Sequence, residues 1–393
     1  MLMMVKGPYL QQPVRDGMTI MWQTDVSSTG EVRVWELLKP HVRTEAMPVS
    51  GEPRVFAAEP DDLHCVRVDG LLPGTDYCYE VVSRSGEDEL VTPRYAFRTI
   101  PDEDEAISFL LTCECCGPTE PVPTPAAAPL NELMRCEHAD FIQSVGDCVA
   151  DGRVEAYWNW HMFWPQRELL HSLPYFPCVG NHEVQSCHTG DGSSADRYRL
   201  FDRYFAYPHF YSYDYGCAHF CVLDAPAMFK AIGRDDAMKD RYVPEPIDDL
   251  AGSEQLRFLE EDLTASKARW KFVVLHYPPY TTSVYDHREL REVLCPILEK
   301  HQVDIMFNSH AIQYERSHPI RNGKIAPDGV RYIVCGGYGC VEQWLWTHAD
   351  RFSAKVCGNR PNYVRVALTP YRLELSAIDM QGRLFDMLTL DKP

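Results

Sequence analysis

Five apolar runs of this 393-residue chain stop at residues able to hold a metal: "SFLLTCE", "FIQSVGD", "YFPCVGNHE", "KFVVLH" and "DIMFNSH". Singly, each has a plain structural reading. Asp147 in "VGDC" could be a turn aspartate, and Asn181 and His182 could stabilise a loop through side-chain to backbone hydrogen bonds. His276 and His310 could be hydrogen-bonded histidines at the edge of a core. Together, Asp147, Asn181, His276 and His310 supply one carboxylate, one amide oxygen and two imidazoles, a set that suits a divalent first-row ion such as zinc, manganese or iron. Such an ion lowers the pKa of bound water and neutralises phosphoryl oxygens, so hydrolysis is the chemistry it would serve.

For these residues to meet, the strands that carry them must end in one place. Side chains at the carboxyl ends of strands in open α/β sheets converge on a ligand crevice. From "ISFLLT" onward the chain alternates helix and strand: "NELMRCEH" precedes "ADFIQSVGD", "SEQLRFLEEDL" precedes "RWKFVVLH", and "HRELREVLCPILEKH" precedes "VDIMFNSH". Ser253 can cap the second of these helices, whose buried stripe is Leu256, Leu259 and Leu263. The apolar strands read as members of a sheet covered on both faces, with the four candidates at the same end of the same sheet. A later all-strand section, "GVRYIVCGG", "YVRVAL", "RLELSAID" and "RLFDMLTL", suggests a second sheet. From about 17 to 99 the pattern is instead short alternating strands, such as "MTIMWQT" and "EVRVWEL", with turn signals between them. That predicts a small all-β sandwich over 1–100, the linker "TIPDEDEA", and an α/β domain over 105–393.

The order and spacing of "GPYLQQPVRDGMTIMWQTD", "LLPGTDYCYEV", "VGDCVADG", "VGNHE", "FYSYDYGCAHFCVLD", "FVVLHYPPY", "VDIMFNSHAIQYERSHPI" and "NGKIAPDGVRYIVCGG" resemble the calcineurin-like metallophosphoesterases. Within them the chain is similar to purple acid phosphatases that carry an N-terminal fibronectin type III-like domain, and the resemblance covers nearly its whole length. It implies a four-layer αββα sandwich, two metals bridged by one aspartate, and hydrolysis of phosphate esters by a metal-bound hydroxide. Asp147 falls on the bridging aspartate, and Asn181, His276 and His310 fall on the remaining protein ligands of one metal. His182 resembles the histidine that contacts the phosphate or protonates the leaving group, so His182 and Asp147 are the implied catalytic residues. The other half of the centre departs from the pattern. Glu114 stands where the family has an aspartate, Cys116 where one version of the motif has a histidine, and Ala150 where purple acid phosphatases have a tyrosinate. Ser309 and Ile312 replace the glycine and final histidine of a Gly-His-any-His motif. Glu114 could still reach a second ion, with Cys116, Cys113, Cys115 or Cys148 making a softer site that favours zinc. Alternatively these cysteines pack beneath the sheet.

A formal charge of -19 opposes binding to nucleic acid or an anionic membrane, while a small phosphate ester could still enter a metal-lined pocket. His188, Tyr280, Tyr285, His287 and Tyr314 are candidates to line it. No run approaches the ~20 apolar residues that span a bilayer, and "MLMMVKGPYL" is too short for a secretion signal. The odd count of 15 cysteines fits a reducing compartment, so a cytoplasmic location is expected. Two functions follow: metal-dependent hydrolysis of small phosphate monoesters or diesters, or a catalytically silent relative that binds a metal or ligand.

Overall fold

The computed structural model describes residues 1–38, 49–115, 127–184, 197–229, 246–285, 287–338 and 350–393. Alternating apolar positions build an N-terminal β-sandwich from strands Met4–Val14, Gly17–Glu36, Arg54–Asp69, Asp76–Ser85, Asp88–Val91 and Tyr95–Arg98. "MTIMWQT" and "EVRVWEL", expected as separate strands, belong to the single strand Gly17–Glu36. One edge of that strand pairs with Arg54–Asp69, and the other pairs first with Met4–Val14 and then with Asp76–Ser85. Register shifts between Gln23 and Gly30 mark the changeover, where irregular pairing lets a long strand bend. Leu10, Trp22, Val32, Tyr79 and Phe97 fill the sandwich core.

From Ile107 onward two sheets face each other. One runs in the order Leu384–Asp391, Arg372–Asp379, Asn362–Leu368, Ile107–Thr112, Phe141–Ser144, Tyr175–Phe176. The other runs Tyr211–Tyr215, Ala218–Leu223, Trp270–Leu275, Ile305–Asn308, Arg331–Cys335, Gln313–Ser317, Ser353–Gly358. Between them lies an aromatic core in which the Phe109 ring sits 5.0 Å from Phe141 and 5.2 Å from Phe220. Full burial of each such ring contributes about 1.5–3 kcal/mol. Leu130 and Met134 of helix Ala127–Arg135 cover the outer face of the first sheet. Leu256, Leu259 and Leu263 of helix Glu254–Ala265 cover that of the second, and Ser253 caps this helix by accepting the Leu256 amide at 3.4 Å. The "HRELREVLCPILEKH" helix is split into Glu289–Val293 and Cys295–Lys300, because Pro296 lacks the amide needed to continue the first segment.

The expectation of one sheet carrying all the candidates needs correcting. Phe141–Ser144 belongs to the first sheet, whereas Trp270–Leu275 and Ile305–Asn308 belong to the second. Strand Asn362–Leu368 takes the free edge of Ile107–Thr112, so part of the late all-strand section completes the first sheet. Both sheets are buried on two faces, and periodicity alone does not reveal which of two such sheets a strand joins.

Helical turns at Glu155–Tyr157, Trp158–Phe163 and Arg167–Leu170, unassigned from sequence, seat the sandwich on the α/β domain. The Tyr9 ring lies 5.0 Å from Phe163, the Lys6 Nζ donates to Glu155 at 2.9 Å, and the Tyr79 hydroxyl donates to the His171 carbonyl at 2.8 Å. Among the described residues no helix is long and apolar enough to cross a membrane.

Candidate metal centre

Loops from both sheets meet at the carboxyl ends of the central strands. After Phe141–Ser144 the backbone turns through Gly146, with φ 95°, and Asp147, with φ 56°. A Cβ on Gly146 would stand 2.6 Å from His276 Nδ1, and one on Gly180 would stand 2.3 Å from Asp147 Oδ1, so only glycine permits this approach. Asp147 Oδ2 lies 3.0 Å and Asn181 Oδ1 3.2 Å from His276 Nε2. His276 Nδ1 donates to the Val145 carbonyl at 2.8 Å, which aims Nε2 at both oxygens. The His310 ring sits 5.1 Å from that of His276, and its buried Nε2 has no hydrogen-bond partner.

One ligand atom from each of Asp147, His276 and His310 lies within 4.8 Å of the others. A buried imidazole nitrogen without a partner is costly, and a water or an ion compensates it; here a carboxylate and a second imidazole lie beside it. The donor set of carboxylate, amide oxygen and two imidazoles therefore fits one divalent metal.

Electrostatics follow from the crowding. Burial pushes the Asp147 carboxyl up, but the imidazoles of His276 and His182 outweigh it and hold it below the usual range. Burial opposes charge on His276, yet Asp147 raises it to about 9. Burial, reinforced by the His276 charge, holds His310 well below an ordinary imidazole. His182 is the outward member, with its side chain 28% exposed. Its Nδ1 donates to the Ala150 carbonyl at 2.8 Å, its amide donates to Asp147 Oδ1 at 2.8 Å, and its Nε2 lies 3.9 Å from Asp147 Oδ2.

Glu114 is buried and held by hydrogen bonds. Its Oε1 accepts from the Ser309 hydroxyl and from the His310 amide, each at 2.7 Å, so it fixes the loop that presents His310. Burial, with the Asp147 charge, raises it to about 7. Ala150 and Ile312 offer no ligand atom. Cys116 and His188 lie outside the described residues. Cys115 accepts from Gln166 Nε2 at 3.4 Å, and Cys148 Sγ lies 2.8 Å from the Tyr175 hydroxyl. Both are buried in the core outside the first sheet, the packing alternative for these cysteines. Of the proposed pocket residues, Tyr285 and His287 place their rings 4.6 and 5.4 Å from His310. Tyr314 and Tyr280 do not line it: Tyr314 is in the inter-sheet core with its hydroxyl on Asp386, and Tyr280 packs on Tyr332 and Arg291.

Glu183 was not singled out from sequence. It is buried and accepts three backbone amides, those of Asp147 at 2.8 Å, Cys148 at 2.6 Å and Gly180 at 2.7 Å. One carboxylate thus binds the Asp147 loop to the Asn181 loop. The available signal was its place three residues after Gly180, from which a carboxylate reaches back to an amide as in a capping box. Also unanticipated is a second cluster able to hold a metal, His219, Cys221 and Asp262, on strand Ala218–Leu223 and helix Glu254–Ala265.

The calcineurin-like phosphoesterase family model matches residues 125–314. Purple acid phosphatase 21 of Arabidopsis thaliana is 27% identical over 284 residues, which cover 70% of this chain and 58% of that protein. Probable inactive purple acid phosphatase 1 of the same plant is 24% identical over 377 residues, covering 84% of this chain and 56% of its own. The chain thus spans somewhat over half the length of these two relatives. The structure of a purple acid phosphatase from yellow lupin (Lupinus luteus) seeds superposes with a TM-score of 0.77 at 18% identity, covering 98% of this chain and 74% of that one. Over residues 125–314 the chain is thus similar to the calcineurin-like phosphoesterases, and its fold is that of a purple acid phosphatase, with divergent residues at the metal-binding positions.

Proposed function

We propose that this protein hydrolyses small phosphate monoesters or diesters with one divalent ion held by Asp147, Asn181, His276 and His310. The observation that carries the reading is the buried cluster of Asp147, His276 and His310, one ligand atom from each within 4.8 Å of the others, in which His310 Nε2 has no hydrogen-bond partner. When bound, the ion supplies Lewis acidity to water and to phosphoryl oxygens. Gly146 and Gly180 allow the close approach of the ligand loops, Glu183 ties two of them together, and Glu114 sets the backbone of the third. His182 is anchored through Nδ1, which leaves Nε2 to contact the phosphoryl group or pass a proton to the leaving oxygen. Asp147 favours its protonated form against the effect of burial. The net charge of -19 disfavours long anionic polymers, which leaves small esters as substrates. We place the reaction in the cytoplasm, with a fibronectin type III-like domain over 1–100 and the phosphoesterase domain over 105–393.

The test is hydrolysis of an aryl phosphate and an aryl phosphodiester after loading with manganese, zinc or iron, alongside Asn181→Ala, His182→Ala and His310→Ala. Metal-dependent turnover that falls in all three variants supports the proposal, with His182→Ala most damaging for poor leaving groups. A second reading, a silent metal-binding relative, draws on the ligand-free side chains of Ala150 and Ile312 and on likeness to a probable inactive phosphatase. Fully metallated protein without turnover on either ester would favour it.

A further inference from the structure

We propose a second, separate metal site, formed by His219, Cys221 and Asp262, that takes a zinc(II)-like ion and clasps the Tyr211–Leu223 hairpin to helix Glu254–Ala265. His219 and Cys221 stand two apart on strand Ala218–Leu223, so both project from the same face of the sheet. That face packs against the helix carrying Asp262, with Cys221 in the same core as Leu259 and Leu263. Asp262 Oδ2 lies 2.7 Å from His219 Nε2 and 2.8 Å from Cys221 Sγ, and the latter two atoms are 3.4 Å apart.

Supporting groups orient all three. Asp214, directly opposite His219 in the hairpin register, accepts from its Nδ1 at 2.7 Å. This carboxylate–histidine pairing is the arrangement that orients metal-binding imidazoles and makes them better donors. The Ser212 hydroxyl donates to Asp262 Oδ1 at 2.8 Å and leaves Oδ2 facing the cluster. His219 and Cys221 are buried while Asp262 is partly exposed, so an ion has three protein ligands and a fourth position towards solvent.

Charge balance favours a divalent cation. A thiolate, a carboxylate and a neutral imidazole carry two negative charges, and an ion of charge two replaces the Nε2 and Sγ protons that otherwise mediate these contacts. Tetrahedral zinc at about 2.0–2.3 Å from its ligands holds them about 3.3–3.6 Å apart, so the two shorter contacts must open by about 0.5–0.9 Å. The mixed N, S, O set selects zinc over magnesium or calcium.

Cobalt(II) and zinc(II) are the probes, used on the metal-stripped full chain and on a His276→Ala/His310→Ala chain, which removes two ligands of the other centre. Expected are a thiolate-to-cobalt charge-transfer band in both chains, its loss on adding Cys221→Ser, and one fewer zinc per chain in that variant. Asp214→Asn lies on an exposed side chain and keeps all three ligands, and it should weaken zinc binding in the double-variant chain by about 10–100-fold. A band that survives Cys221→Ser, or zinc affinity unmoved by Asp214→Asn, overturns the assignment. So does a double-variant chain that binds no zinc, whatever the phosphoesterase assays give.

Discussion

Replacing Glu183 should damage the metal centre without touching a metal ligand. Its carboxylate accepts the amides of Asp147, Cys148 and Gly180, so Glu183→Ala leaves three buried N–H groups without partners. Each such group costs about 1–3 kcal/mol, a nominal total of about 3–9 kcal/mol. Two effects reduce it. Backbone relaxation recovers part, and so does relief of the carboxylate's own burial, which with the Asp147 charge raises Glu183 to about 7. We therefore expect a loss of about 3–5 kcal/mol in the metal-free protein. Glu183→Gln is milder: its carbonyl can serve the Asp147 and Gly180 amides now held by Oε2, while its NH2 opposes the Cys148 amide, at a cost of about 1–3 kcal/mol. Urea unfolding of metal-stripped protein measures both, and a zinc titration measures the displacement of Asp147 and Asn181. A Glu183→Ala chain within about 1 kcal/mol of wild type, with unchanged zinc affinity, would refute the reasoning.

Replacing both His276 and His310 with alanine removes two of four proposed ligands and should abolish most metal at this centre, as read by elemental analysis. Iron-loaded protein should show no strong tyrosinate charge-transfer band in its visible spectrum, because Ala150 has no phenolate; a band lost on changing one tyrosine would reveal a relocated ligand. Burial lowers His171 from 6.5 to about 4, so the unfolded chain binds the extra proton between those values. Its contribution is complete above pH 6.5 and declines as pH falls towards 4, by up to about 3 kcal/mol, and His171→Gln should flatten that acid limb of a stability–pH curve.

Features with local causes were legible in the sequence. Ser253 and the leucine stripe of Glu254–Ala265 specify that helix within a dozen residues, and the apolar runs ending at Asp147, Asn181, His276 and His310 gave the strand ends. Sheet membership was not legible, since strands buried on both faces look alike whichever sheet they join. Glu114 was read as a possible ligand of a second ion, but its hold on the His310 loop was not legible, because its partners, Ser309 and the His310 amide, lie almost two hundred positions away. Glu183 carried only its capping-box spacing from Gly180, and its bonds to the Asp147 and Cys148 amides, about 35 positions away, leave no trace in a side-chain motif. The His219 cluster joins a strand to a helix 41 positions on, with no spacing rule to announce it.

The placement of Asp147 in one sheet's loops and His276 and His310 in the other's has a mechanical consequence. The two sheets meet across the aromatic layer through edge-to-face rings such as Phe109 on Phe220 and on Phe307. Polar rivets cross it elsewhere, such as Arg316 and Tyr314 on Asp386. An ion at the centre would add another at the carboxyl ends, so ion binding and sheet alignment share one free energy. At a hundredfold excess over its dissociation constant the ion would stabilise that alignment by about 2.7 kcal/mol, and by the same linkage any displacement of one sheet against the other would lower the affinity for metal.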